Sequence, residues 1–331
     1  MTRRAVITGA SGFVGSVLAR ALVEMGHEVH LILRPHHQPW RLRSLAADVR
    51  RHEAALEDRE ALKRTLRSVR PDWVFHLAAH GAYPQQTDLD RMIATNFLGT
   101  VNLVLAALEV GFEAFVNTGS SSEYGFTDHA PSEADCLEPN SYYAVTKASA
   151  TLFCRHTAVA HGVRITTLRL YSVYGPFEEP TRLMPTLAVQ GLNGRLPPLV
   201  DPHIARDYVY VEDAVEAHLL AASIPGQEPG AVYNVGTGRQ TPLAEAVEVA
   251  RRVMGIEALP QWGSMAPRGW DTSTWVADNR RIQDRLGWRP RHTLQQGLQN
   301  LVRWLKENPD MLSHYEAVQA LAQPDGAMRP R

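Results

Sequence analysis

Tyr143 and Lys147 stand four apart in Tyr143-Ala144-Val145-Thr146-Lys147, so on a helix they share one face. A phenol with a pKa of about 10 is a poor acid or base at neutral pH. A neighbouring ammonium favours the phenolate and lowers that value, which makes Tyr143 a candidate proton shuttle and Lys147 the group that tunes it. Tyr142 has no lysine four residues on and lies on another face. A second group of residues has the chemistry of a phosphate cradle. Thr8-Gly9-Ala10-Ser11-Gly12-Phe13-Val14-Gly15 carries glycines at i, i+3 and i+6. A backbone that turns tightly and admits a pyrophosphate has no room for a Cβ, and a helix N-terminus beyond it supplies free N–H groups and partial positive charge. Gly9, Ser11, Gly12, Phe13, Val14 and Gly15 are therefore expected to hold a dinucleotide; the alternative is a plain glycine-rich loop.

These groups need strands and helices to place them. Residues 5–8 are a short apolar run, and residues 17–25 carry apolar side chains at helical spacing, closed by Gly26. Strands are expected at 27–33, 73–78, 115–118 and 164–170, and helices at 59–69, 95–110 and 143–161. Such alternation means βαβ units, a doubly wound parallel α/β sheet of the Rossmann type with both faces covered. After Gly175-Pro176 the pattern loosens, with short strands at 208–211 and 232–235, helices at 243–254 and 294–306, and a frayed end from Asn308. The expected division is a dinucleotide domain over 1–175 with returns near 204–245, a smaller α/β substrate lobe from 176–203 and 246–310, and a tail over 311–331.

Composition narrows the function classes. Of 331 residues, 34 are Lys or Arg and 35 Asp or Glu, a formal net charge of −1 that argues against a nucleic-acid partner. Two cysteines are too few for a disulfide framework or a structural zinc site, and the 14 histidines show no metal-ligand spacing, so no metal is expected. No apolar run of about 18 residues is evident and the N-terminus enters a strand, which reads as no membrane partner, no signal peptide and a cytoplasmic location.

The end of the second strand bears on the cofactor. An Asp or Glu there would hold the ribose hydroxyls of NAD; here Leu33 is followed by Arg34, whose guanidinium pairs with a 2′-phosphate. NADP(H) is favoured over NAD(H), the alternative being that Arg34 is a solvated surface charge.

With the glycine turn upstream, Leu77-Ala78-Ala79-His80, Tyr143-x-x-x-Lys147, Leu168-Arg169-Leu170-Tyr171-Ser172-Val173-Tyr174-Gly175-Pro176, Ala205-Arg206-Asp207-Tyr208-Val209-Tyr210-Val211-Glu212-Asp213 and Tyr233-Asn234-Val235-Gly236-Thr237-Gly238 follow in order. Over residues 3–305 the chain resembles the extended short-chain dehydrogenase/reductases, in their nucleotide-sugar epimerase/dehydratase branch. The resemblance implies that Leu77, Ala78 and Ala79 line the dinucleotide, that Lys147 also binds the nicotinamide ribose, and that Ser120, four before Tyr124-Gly125, hydrogen-bonds the reacting oxygen. The acidic residue that the 4,6-dehydratases place two before that tyrosine is Ser122 here, after Ser121; Glu123 is one place late, which on a strand means the opposite face. Gly119-Ser120-Ser121-Ser122-Glu123-Tyr124-Gly125 looks like the GDP-4-keto-6-deoxymannose reductases, so the implied reaction is NADPH-dependent reduction of a 4-keto-6-deoxy sugar. An NAD-dependent epimerase uses the same triad and is the alternative. A non-catalytic dinucleotide sensor on the same fold would lack the Tyr-Lys pair.

A nucleotide sugar needs cations for its diphosphate. Arg206 matches the family's phosphate arginine, Arg268 stands where a second one lies, and Arg182 is a further candidate. Ser172 replaces the family's usual Asn, and Ala54-Ala55 its usual Gly-Asp, so adenine is expected against backbone near Leu56. His80, Ser121 and Ser122 are candidate sugar contacts, with Tyr83 close by; His80 and Tyr83 are equally readable as structural loop residues. Asn96 either caps the next helix or fixes active-site backbone. Apolar side chains on more than one face of the 95–110 and 143–161 helices lead to an expected homodimer, which in this family forms through a four-helix bundle.

Overall fold

The structure is a computed structural model, describing residues 2–45, 47–265 and 272–322. Seven parallel strands form one sheet in the order β10-β6-β5-β4-β1-β2-β3: Val232–Val235, Ile165–Leu170, Ala114–Ser120, Trp73–His76, Arg4–Thr8, Glu28–Leu33 and Val49–Glu53. This is a Rossmann-like doubly wound sheet. The strand order reverses at β1, between β4 and β2, and this is where such sheets open a ligand crevice beyond their carboxyl ends. Central strands read Ala-Val-Ile and Trp-Val-Phe because both of their faces are buried; β3 reads Val-Arg-Arg-His-Glu because it is an edge, and that polar edge is why its strand character was not evident.

Helices α1 (Phe13–Glu24) and α7 (Val211–Ser223) cover one face through Leu18, Leu22, Ala214, Ala217 and Ala221. On the other face lie α2 (Arg59–Val69), α4 (Gly99–Val110) and α5 (Tyr142–His161), through Leu62, Leu66, Leu103, Val104, Cys154 and Ala158. Helix α4 continues α3 (Leu89–Met92) through a π turn at Ile93–Leu98. By length and composition the Leu89–Val110 helix, with a mean hydropathy of 1.6, is long and apolar enough to cross a membrane, contrary to the sequence reading. In the fold its Leu103, Val104, Ala106 and Ala107 are core residues.

The second lobe packs α6 (Leu183–Leu192), α8 (Leu243–Met254), α10 (Leu294–Glu307) and α11 (Pro309–Ala322) around Leu187, Val247, Leu301 and Tyr315. Helix α9 (Arg280–Leu286) instead adds Ile282 and Leu286 to the core of the first. Two small sheets connect the lobes: β7 (Ser172–Tyr174) beside β9 (Tyr208–Tyr210), and β8 (Ala205–Arg206) antiparallel to β11 (Thr241–Pro242). Pro185 sits in the first turn of α6, where no N–H is needed, so the proline-rich stretch hides a helix. The frayed end expected from Asn308 is corrected up to Ala322. Pro309 opens α11, Tyr315 is fully buried, and its hydroxyl donates to Glu178 O at 2.7 Å.

Candidate active site

The glycine turn leaves the carboxyl end of β1 at the strand-order reversal. Gly9 has φ +77°, and a Cβ there would lie 2.4 Å from Ala78 N; one on Gly15 would lie 2.4 Å from Gly9 O. Gly12 N–H donates to Gly9 O at 2.9 Å and closes the turn. Helix α1 begins at Phe13, earlier than the apolar spacing indicated, with no side-chain cap and no acidic residue in its first turn. Among the described residues no side chain competes for the N–H groups of Phe13, Val14 and Gly15, so the cradle fits a pyrophosphate. Leu77, Ala78 and Ala79 follow β4, whose strand ends at His76, and Leu77 N–H donates to Thr8 O. Leu56 follows β3; Asn102 Nδ2 holds its carbonyl at 3.0 Å, and Gly99 leaves room for its side chain. Arg34 is exposed at the end of β2, its pKa lowered by partial burial and then by the like charge of Arg91, with Glu57 opposing.

Asn96 is no cap. It lies fully buried inside the π turn, where Oδ1 accepts from His80 N–H (2.8 Å) and Nδ2 donates to His80 O (2.8 Å) and Thr146 Oγ1 (2.9 Å). It thereby ties the loop after β4 to the helix that carries Tyr143. Beneath it His76 shares hydrogen bonds with Thr8 Oγ1 (2.6 Å) and Thr100 Oγ1 (2.9 Å). Burial, helped by Lys147, pushes its pKa down to about 3, so this imidazole is neutral scaffolding. Its place at the end of the buried strand Trp-Val-Phe-His is the signal in the sequence that marks it.

Ser120 ends β5 and caps the 3₁₀ turn Ser121–Tyr124. Its Oγ accepts from Ser122 N–H and shares a 2.8 Å hydrogen bond with Ser122 Oγ. Ser121 is buried. Glu123 closes the capping box by accepting Ser120 N–H at 2.8 Å, also accepts from Thr151 Oγ1, and pairs with Arg169 Nε at 2.8 Å, both partners being buried. The segment is a helical turn, so the alternating-face argument does not apply to it. Glu123 is kept from acting as a free acid by Arg169 and works instead as the brace of Ser120.

Tyr143 is half-buried on α5, and Tyr142 points out to solvent. Burial pushes the Tyr143 phenol up to about 12; the Ser120 hydroxyl opposes that rise, and Glu123, Tyr83 and Arg182 act more weakly. The structure thus brings Ser120 and Tyr143 together. Burial is the largest influence on the phenol, and Lys147 is not among the main ones. Lys147 is itself buried, its pKa lowered for the same reason, and its Nζ donates to Thr118 O. The chain therefore holds the phenol protonated.

Across the cleft, Arg182 opens α6, with its Nε 3.9 Å from Glu178 Oε1. Arg206 bonds Ala205 O and stacks over Trp275 at 5.5 Å. Arg268 lies outside the described residues. His80 is half-buried, its pKa lowered by burial and then by Arg91. Arg41, which the sequence reading did not single out, is buried between the lobes. Its Nε donates to Phe177 O at 2.7 Å, Nη2 pairs with Glu179 at 3.3 Å, and Nη1 reaches Ser11 O at 3.5 Å.

A glycine cradle at the sheet's reversal, with a serine, a tyrosine and a lysine beside it, defines an NAD(P)-dependent enzyme of the oxidoreductase/epimerase type. The chain belongs to the NAD dependent epimerase/dehydratase family, whose profile matches residues 5–236. It is 30% identical over 322 residues to the dTDP-glucose 4,6-dehydratase of Streptomyces griseus, covering 92% of this chain and 94% of that one. It is 28% identical over 313 residues to the GDP-6-deoxy-D-mannose reductase of Pseudomonas aeruginosa, covering 91% and 97%. The crystal structure of the UDP-glucose 4-epimerase of Thermus thermophilus in complex with NAD superposes with a TM-score of 0.81 at 28% identity, over 92% and 99% of the two chains.

Proposed function

We propose that this enzyme reduces the 4-keto group of a 6-deoxyhexose carried on a nucleoside diphosphate, using NADPH, as a homodimer. The observation that carries the reading is the Tyr143 phenol of α5 hydrogen-bonded with Ser120, a serine braced by the buried Glu123–Arg169 pair, with burial raising the phenol's pKa to about 12. A protonated phenol is the acid that a reduction needs. Ser120 orients the sugar oxygen, Tyr143 gives its proton to that oxygen as charge develops on it, and Lys147 sits behind them on the β5 backbone. When bound, the dinucleotide supplies the hydride. Arg34 at the end of β2, with Arg91 in electrostatic reach, supports a 2′-phosphate. Glu123, the only acid in the 118–125 run, is held by Arg169, which disfavours elimination by a dehydratase.

NADPH absorbance followed with GDP-, dTDP-, UDP- and CDP-linked 4-keto-6-deoxyhexoses should fall with at least one of them; no oxidation with any would overturn the reductase. A second reading, an NAD-dependent epimerase, is supported by the NAD-bound epimerase relative. It requires dinucleotide retained through purification and no net turnover. The dimer rests on Tyr142, Val145, Leu152 and Val159, exposed along α5, and Leu98, exposed on the π turn. A solely monomeric mass by light scattering at micromolar concentration would refute it.

A further inference from the structure

The loop between β7 and α6 is held from three sides. Gly175 (φ +143°) and Phe177 (φ +70°) bend it sharply. Arg41 Nε bonds Phe177 O, Tyr315 Oη bonds Glu178 O, and Gln319 Nε2 bonds Pro180 O, at 2.7–2.8 Å. All this rigidity turns one carboxyl inward. Glu178 is 5% exposed, and its Oε2 is buried with no hydrogen-bond partner. An unpartnered buried carboxyl oxygen is destabilising, and a fold that pins one in place invites a functional reason. The other oxygen faces Arg182 at 3.9 Å, too long for a hydrogen bond, and Arg182 remains 39% exposed at the head of α6, within electrostatic reach of Tyr143 and Tyr208.

We propose that Glu178 is the positioning residue of Arg182: it steadies the guanidinium at the cleft wall while the site is empty, yields it to the phosphate of an incoming nucleoside diphosphate, and takes up a proton from solvent as it does so. This deepens the functional reading above and rests on it. The charge arithmetic favours the exchange. Among the described residues Arg182 is the cation that acts on Glu178 most strongly, followed by Arg41, which Glu179 already engages; Glu179 itself raises the Glu178 carboxyl, and the phenols of Tyr83, Tyr174, Tyr208 and Tyr315 also sense it. Burial pushes the Glu178 carboxyl up to about 8, with Arg182 the main opposing influence. When Arg182 turns to phosphate that opposition weakens, the carboxyl holds its proton more tightly, and a charge that would repel the diphosphate is removed.

The test is calorimetric titration of the full chain with UDP, dTDP, GDP, CDP and ADP between pH 7.5 and 9.5, in buffers of different ionisation enthalpy. Wild type should show buffer-dependent heat from proton uptake, and its affinity should fall toward tenfold per pH unit above pH 8, the limit for one linked proton. E178Q should bind with no such slope, and E178D should restore part of it. Equal slopes in wild type and E178Q, or no buffer-dependent heat in wild type, overturn the proposal alone. If no nucleoside diphosphate binds wild type at millimolar concentration, the functional reading falls and the proposal with it.

Discussion

The two walls of the active-site cleft are held by different kinds of contact. On the dinucleotide side the glycine turn is closed within seven residues, Gly12 N–H to Gly9 O and Gly15 against Gly9. On the substrate side the 175–182 loop is held by Arg41, Tyr315 and Gln319, at sequence separations of 136, 137 and 139. Both walls carry positive-φ backbone, at Gly9 on one and at Gly175 and Phe177 on the other. The difference is where the compensation for that strain comes from. A local motif carries its own, and a long-range one depends on three other elements being folded. Chemistry should therefore fail when the first wall is altered, and stability when the second is.

Tyr143→Phe should reduce turnover about 10³-fold with an unchanged circular dichroism spectrum, since only a proton path is removed. Full biological activity in that variant, with turnover lost, would instead support a dinucleotide sensor. On the opposite wall, Tyr315→Ala removes a fully buried ring and the hydroxyl that holds Glu178 O, so urea denaturation should show a loss of about 3 kcal/mol. A change within experimental error would mean that α11 is not part of the lobe's core. Gly9→Ala marks where the contrast breaks: positive φ and the clash with Ala78 N, in the loop after β4, predict a stability loss of about 2 kcal/mol on this wall too, together with at least tenfold weaker dinucleotide binding by fluorescence titration. Arg34→Glu should move the NADP/NAD ratio of kcat/KM toward NAD by about tenfold or more without altering the melting temperature; an unchanged ratio would make Arg34 a solvated charge.

The smallest effect concerns pH. Glu178 has a folded-state pKa raised from 4.5 to about 8, so the native state keeps a proton that the unfolded chain has already lost. Its contribution is full below pH 4.5 and fades as pH rises to about 8. Wild type should thus lose melting temperature relative to Glu178→Gln across that interval, by about 2 °C or more. Parallel curves would show that the carboxyl is not perturbed.

How much of this was legible followed from the range of the contacts involved. The 59–69, 232–235 and 243–254 elements coincide with the observed bounds because apolar periodicity is local. Tyr143, Lys147 and the glycine cradle were legible because helix spacing and steric exclusion act within a few residues. Edge strand β3, helix α6 with its first-turn proline, and the docked helix α11 were not, because their stability comes from partners distant in sequence.

The sequence by itself singled out the groups proposed for the chemistry: residue type and short spacing mark a phenol, an amine and a cradle without Cβ atoms, and the family resemblance adds the hydroxyl of Ser120. Tertiary structure alone decided their state. Burial holds the phenol protonated, Arg169 turns Glu123 from a candidate acid into a brace, and a loop pinned from across the fold buries Glu178 beside Arg182. Desolvation and ion pairing depend on what surrounds a side chain, and those surroundings exist only once the lobes have closed on each other.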